Sequence, residues 1–414
     1  MTSIPRLATL DSTPAFLREG YPWLGNRCRD LGSDMFETRL MGRRVLCMMG
    51  EEAARRFYDG KSFSRVGAMP PTTLRLLQDK GSVQALDGAA HAHRKQLFLD
   101  LLAGDAPESF ADIFERRWRA ALPEWRGRGE VTLHEAAVRL LCESALEWCG
   151  IAVAERDVPD RAEELAAMVA GAGAVGPKLV RGLWLRRRAE RWARDQIDRV
   201  RRGRPARPGS PLARIAEFHD LDGGPLTREE AGVELLNLLR PIVAIARFVT
   251  FAALALHEHG DAAEWLESGP GEVRERQLAF VQEVRRFYPF FPVIGGRVRS
   301  AFEWRGNEFA DGDWVLLGLH ATNHDARLWP EPHRFDPARF LRWQGSGYDL
   351  IPQGAGAYLP DHRCPGEWMT IAVLRRALAL LRIMPGHLPE QDLRVPLDRF
   401  PTLPNSGVRI AFDR

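Results

Sequence analysis

The sequence predicts a mainly α-helical fold with a minor β part, an α+β class. Three observations predict it: long Ala/Leu/Glu/Arg stretches with apolar residues at helical spacing, one early alternating segment, and short β-favouring runs confined to the last third. In chain order, residues 34–49 carry β-favouring positions around Gly42, which predicts a hairpin. Helices are expected near 91–103, 109–122, 133–149, 155–171, 179–202, 227–258 and 273–288. Strand-like segments fall between 293 and 318 and again after 390, and an apolar helix follows Cys364. The loop at 203–213, rich in Pro and Gly, separates two helices and not two differently composed halves, so residues 1–414 are expected to form a single domain.

Composition narrows the function. With 45% hydrophobic residues and 58 basic against 55 acidic side chains, the chain can bury a large core, and its net charge of +3 is too small to suggest nucleic acid. The basic block Arg181–Arg202 contains acids and tryptophans at helical intervals, so a solvated helix packing one face on the core is favoured over a polyanion or membrane surface. The start of the chain has no apolar run suited to a signal or a spanning helix, so an unanchored cytoplasmic protein is expected. The five cysteines are odd in number, scattered and without a CxxC pair, which argues against a disulfide framework or a zinc knuckle.

One cysteine stands in a special context. Gln353-Gly354-Ala355-Gly356 and then Tyr358 to Glu367 lead into the apolar helix, placing Cys364 beside a helix N-terminus. Helix dipole and free N–H groups there favour a thiolate, and Gly354, Gly356 and Gly366 would let a flat cofactor approach the backbone; such a thiolate suits axial ligation of haem iron. A buried or capping cysteine is the bland alternative. Upstream, Glu283 and Arg286 lie one helical turn apart, and Arg339 follows in Pro337-Ala338-Arg339-Phe340.

In this order the pieces resemble the cytochrome P450 superfamily, which implies a haem b cofactor on Cys364 and a buried network of Glu283, Arg286 and Arg339 bracing the haem loop. The ordinary member carries an acid and an alcohol in its long apolar helix. This chain has Arg240-Pro241 there, inside a hydrophobic run from 231 to 259. An unpaired buried arginine is costly, so a protein or substrate carboxylate should face Arg240. Pro241 removes a helical N–H and should bend the helix, opening space over the haem.

Arg-Pro at this place is similar to the bacterial fatty-acid peroxygenases. The likeness extends to Gln84–Gly88, His91–Lys95, Val175–Pro177, Val281–Pro289, Thr322–Asp325 and His362–Glu367. It implies that hydrogen peroxide is the oxidant, that no redox partner is required, and that Arg240 grips the carboxylate of a fatty acid. That carboxylate would then move a proton between the peroxide oxygens. The α and β carbons lie nearest the iron, so hydroxylation there is expected, with decarboxylation to a 1-alkene competing. Gln84, where alkene producers often carry histidine, leans towards hydroxylation; a polar turn residue is its bland reading. The resemblance also makes Arg65, His91 and Lys95 candidates for the haem propionates and puts Gln353 and His362 at the cofactor, with a solvated helix face as the alternative for Lys95 above all.

Departures bear on the substrate. Gln78-Asp79 replaces an aromatic of some relatives and suggests a more polar pocket, and the small run Val169–Ala174 suggests a roomier channel. Arg247, seven residues beyond Arg240, should point the same way. Three rival readings are a reductase-dependent monooxygenase, a haem-binding sensor or carrier, and a zinc hydrolase on His320 and His324, for which the glutamate of HExxH is missing.

Overall fold

The computed structural model describes residues 4–79, 81–174, 176–204 and 206–413; Met1–Ser3, Val175 of the family-like Val175–Pro177 stretch, and Pro205 of the 203–213 loop lie outside the described residues. The early hairpin forms as strands Met35–Leu40 and Arg43–Met48, turning through Met41 and Gly42, both at positive φ. Leu46–Met48 then pair in parallel with Val315–Leu317, and Val293–Arg297 pair antiparallel with Trp314–Gly318. The short strand Phe63–Ser64 completes a five-stranded sheet. Two further ribbons join 130–132 with 409–411 and 302–304 with 307–309.

The expected helices occupy Gly88–Leu102, Ala106–Arg128, Leu133–Cys149, Val158–Gly171, Pro177–Arg201, Val273–Phe287 and, past the cysteine, Glu367–Ile383. Short helices at Thr13–Glu19, Trp23–Asp30, Glu51–Phe57, Pro71–Leu77, Pro211–Ala216 and Gly260–Ser268 were beyond the reach of periodicity, which needs two or three turns to show. One apolar core runs from Leu76 to Phe412 and centres on the 228–258 helix. That helix is long and apolar enough to cross a membrane, yet 89% of its apolar window is buried inside the fold.

The helix runs on through Pro241 and is interrupted only four residues beyond it. The helix divides into Arg228–Ala244 and Ala246–Glu258, and the Ile245 N–H bonds three residues back to Ile242 in place of the usual four. The basic helix Pro177–Arg201 packs Leu185, Ala189, Ala193 and Ile197 inward. Of its tryptophans, Trp192 is half-buried and packs against that core, whereas Trp184 is exposed, with Arg188 over its ring at 5.2 Å.

Candidate active site

Cys364 is the one cysteine of the five that is not buried. It lies three residues before Glu367, the first residue of the 367–383 helix, and its N–H donates to the Gln353 carbonyl at 3.1 Å. The Gln353 amide nitrogen stands 3.7 Å from Sγ and 3.2 Å from Thr370 Oγ1. Burial raises the Cys364 pKa and outweighs the Gly366 N–H and the Lys95 and Arg285 charges. The Gly366 N–H thus favours the thiolate, as expected of a helix start, but burial works against it. Gly354 and Gly356, at φ +95° and +85°, serve the loop's own path, since a Cβ at 356 would collide with the Asp361 carboxylate.

The loop is held by ions that the sequence reading passed over. Arg285 binds Gln353 Oε1 at 3.2 and 3.1 Å and pairs with Glu367, which also accepts from Arg363 at 2.7 Å and Tyr358 at 3.0 Å. Burial pushes Glu367 up, but Arg285 and Arg363 outweigh it and hold the carboxyl at about 2. Alternation of Glu and Arg is too common on helices for Arg285 or Glu367 to stand out in a sequence. Behind them Arg286 grips Glu283 through two bonds of 2.6 and 2.7 Å and donates to the Asn323 and Pro332 carbonyls, while Arg339 approaches Glu283 at 3.4 Å. Asn323 in turn accepts from Ile351, at the head of the cysteine loop.

On the other side of Cys364 the cations gather. Lys95 is buried and donates to the carbonyls of Asp361 and Arg363 at 2.7 and 2.6 Å, which replaces the solvated face considered for it. Burial lowers its pKa to about 8. His91, also buried, stacks on His362 with centroids 3.9 Å apart, and burial with the nearby Lys95 charge brings it to about 4. Arg65 donates to the Gly295 carbonyl at 2.8 Å and lies over Phe57 and Tyr58. Among the described residues neither Arg65 nor Lys95 forms an ion pair; buried cations resting on carbonyl oxygens, next to a half-open thiol, fit a cofactor that carries carboxylates and a metal.

Arg240 is buried and has no carboxylate partner among the described residues. Its one bond is from Nη2 to Asn237 Oδ1 at 3.3 Å, Nε has no partner, and burial beside Arg186 lowers its pKa to about 9. Gln84, on the short turn of helix Val83–Ala85, likewise has a buried Oε1 without a partner. A buried donor and a buried acceptor are thus left open, each at the cost of an unmade hydrogen bond.

Other expectations are revised. Gly171 and Gly173 do not widen a channel: added carbons there would run into Leu76 and Phe400, so the small residues permit close packing. Asp79 is engaged by Arg75 and lies 3.6 Å from Arg186, within a cluster that includes Glu190. Arg247 finds the Thr402 carbonyl at 2.6 Å. The rings of His320 and His324 lie 4.1 Å apart, tilted by 36°, with His324 Nδ1 against the His320 carbonyl at 3.0 Å.

Residues 278–384 match the family model for cytochrome P450. The fold superposes on cytochrome P450EX alpha (CYP152N1) with myristic acid at TM-score 0.94 and 39% identity over 99% of both chains. It matches cytochrome P450SP alpha (CYP152B1) in complex with (R)-ibuprophen at TM-score 0.93 and 38% identity, covering 97% of this chain and 98% of that one. A variant of cytochrome P450 OleT with arachidonic acid gives TM-score 0.94 at 30% identity over 100% and 99%. Among curated proteins, the putative cytochrome P450 138 of Mycobacterium tuberculosis is 26% identical over 83% of this chain and 80% of its own. The match to geissoschizine oxidase of Alstonia scholaris, at 38% identity, spans 23% of this chain and only 19% of the oxidase.

Proposed function

This chain belongs to the cytochrome P450 superfamily, in its bacterial fatty-acid peroxygenase branch, and from that premise we propose that it uses hydrogen peroxide to hydroxylate long-chain fatty acids at the α and β carbons, with decarboxylation to 1-alkenes as a competing outcome. The observation that carries the proposal is Arg240, a buried cation with no carboxylate of its own. Haem, when bound through a cysteine thiolate, supplies two-electron oxidation of a C–H bond, peroxide being reduced to water.

The chain's residues do the rest. Cys364 is the iron ligand, and Arg65, His91 and Lys95 hold the propionates, with Gln353 and His362 flanking the cofactor. Arg240 takes the substrate carboxylate in charge-assisted hydrogen bonds. It thereby fixes which carbons reach the reacting centre. The residues on either side of it, Leu239 and Pro241, offer no acid, so the bound carboxylate itself moves the proton between the peroxide oxygens. Gln84, standing where alkene producers often carry histidine, leans the outcome towards hydroxylation. Relatives crystallised with myristic and arachidonic acids support a long-chain acid as substrate. The whole of 1–414 acts as one catalytic unit, in the cytoplasm.

The test is turnover of the purified haem protein with palmitic acid and hydrogen peroxide and no reductase. Hydroxy acids or alkene are expected; products that appear only with NADPH and a reductase would make it a monooxygenase instead.

A further inference from the structure

Three residues spaced three apart on the Arg228–Ala244 helix form a single polar row. Arg240 Nη2 donates to Asn237 Oδ1 at 3.3 Å, and Asn237 Nδ2 donates to Glu234 Oε2 at 3.0 Å. The other carboxylate oxygen of Glu234 accepts from the Val83 N–H at 2.8 Å and from Arg94 at 3.0 Å. All four side chains are buried, with Glu234 fully so. Arg94 continues the row outward to the Gly81 carbonyl and to Asp220.

The order of these groups matters. A carboxylate in direct contact with Arg240 would satisfy the guanidinium and compete with any acidic ligand. Here an amide stands between them, and it can stand only one way round: reversed, its NH2 would face the guanidinium and its oxygen the carboxylate, two repulsive contacts. The anion thus supports the cation from a distance, and Arg240 keeps Nε free. The same Glu234 holds the backbone N–H of Val83, one residue before Gln84, so a single buried carboxylate sets the place of both open polar groups.

Resting on the function proposed above, we propose that Asn237 and Glu234 are positioning residues: they aim Arg240 at the ligand, and the interposed Asn237 keeps it open to a carboxylate substrate.

The experiment measures binding and not turnover. Palmitic acid and its neutral counterpart 1-hexadecanol are titrated into the haem protein, and the absorbance of the haem band gives the ratio of their dissociation constants. Glu234→Gln is nearly isosteric but places an NH2 against that of Asn237, which forces the amide to turn its donor towards Arg240. Glu234→Gln and Asn237→Ala should each cut the preference for the acid about tenfold, the loss of one aligned charge-assisted bond, with the alcohol bound as before. Asn237→Ser, which can still accept from Arg240 and donate to Glu234, should restore part of the preference. Arg240→Ala should remove it. Undiminished preference in Asn237→Ala and Glu234→Gln, or equal weakening of acid and alcohol, overturns the positioning role while Arg240→Ala upholds the proposed function. Preference retained by Arg240→Ala would bring down the function and the positioning role together. Should Glu234→Gln fail to fold, Asn237→Ala decides, because it leaves Glu234 paired with Arg94.

Discussion

Glu367 and Arg240 are both buried ions in one chain, and they stand on opposite terms. Around Glu367 the charge is answered: Arg285, Arg363 and Tyr358 surround it, and the two arginines hold its carboxyl at about 2, far on the charged side of its ordinary value. Around Arg240 no carboxylate answers among the described residues: burial drives it down to about 9, one amide oxygen touches it, and its Nε has no partner there. Burying an ion is costly, and a fold tolerates the cost where partners offset it or where a ligand will. The first region is scaffold, complete without anything added. The second is, under the proposed function, a site whose charge is left for an anion to answer.

Removing a member from each region should therefore do different things. The largest effect is expected from Arg285→Ala, which strips Glu367 and Gln353 at once: a loss of about 3 to 5 kcal/mol in stability, read by denaturant unfolding, with weakened haem retention. Glu367→Gln should come next. Its folded pKa lies below the unfolded value, so its contribution is present above pH 4.5 and lost as pH falls towards 2; the variant should be less stable at neutral pH by about 3 kcal/mol and show a flatter acid limb. Arg240→Ala breaks the symmetry of the comparison, since it removes an ion that nothing pairs: the melting temperature should hold or rise while fatty-acid affinity falls about a hundredfold. A melting temperature that drops as far as that of Arg285→Ala would erase the distinction between the two regions. The smallest change is expected at Gln84, where Gln84→His should move the alkene-to-hydroxy-acid ratio by about a few fold, measured by mass spectrometry, without altering stability.

Much of this site was legible because its signals are local. The cysteine before an apolar helix, the Glu283–Arg286 turn and the intrusion of Arg240-Pro241 into a hydrophobic run are each visible within a dozen residues. What escaped was long-range. Arg285 looks like any helical arginine until Glu367 and Gln353, 82 and 68 residues away, fold against it. Lys95 reads as a surface lysine beside half-buried His93, and only the fold brings the Asp361 and Arg363 carbonyls over it. The glycines at 171 and 173 suggested space, because a sequence shows which side chains are small but not that Leu76 and Phe400 fill the gap. Short helices such as Glu51–Phe57 were missed for the reason that packing, not periodicity, stabilises them.

The central claim is that the open charge on Arg240 is a substrate site. Its most direct test sets the parent haem protein beside Arg240→Ala in the same reductase-free mixture of a long-chain fatty acid and hydrogen peroxide, with products quantified by mass spectrometry. The account predicts α- and β-hydroxy acids, with some alkene, from the parent and almost none from a variant that is folded and haem-loaded. Equal product from both would contradict it.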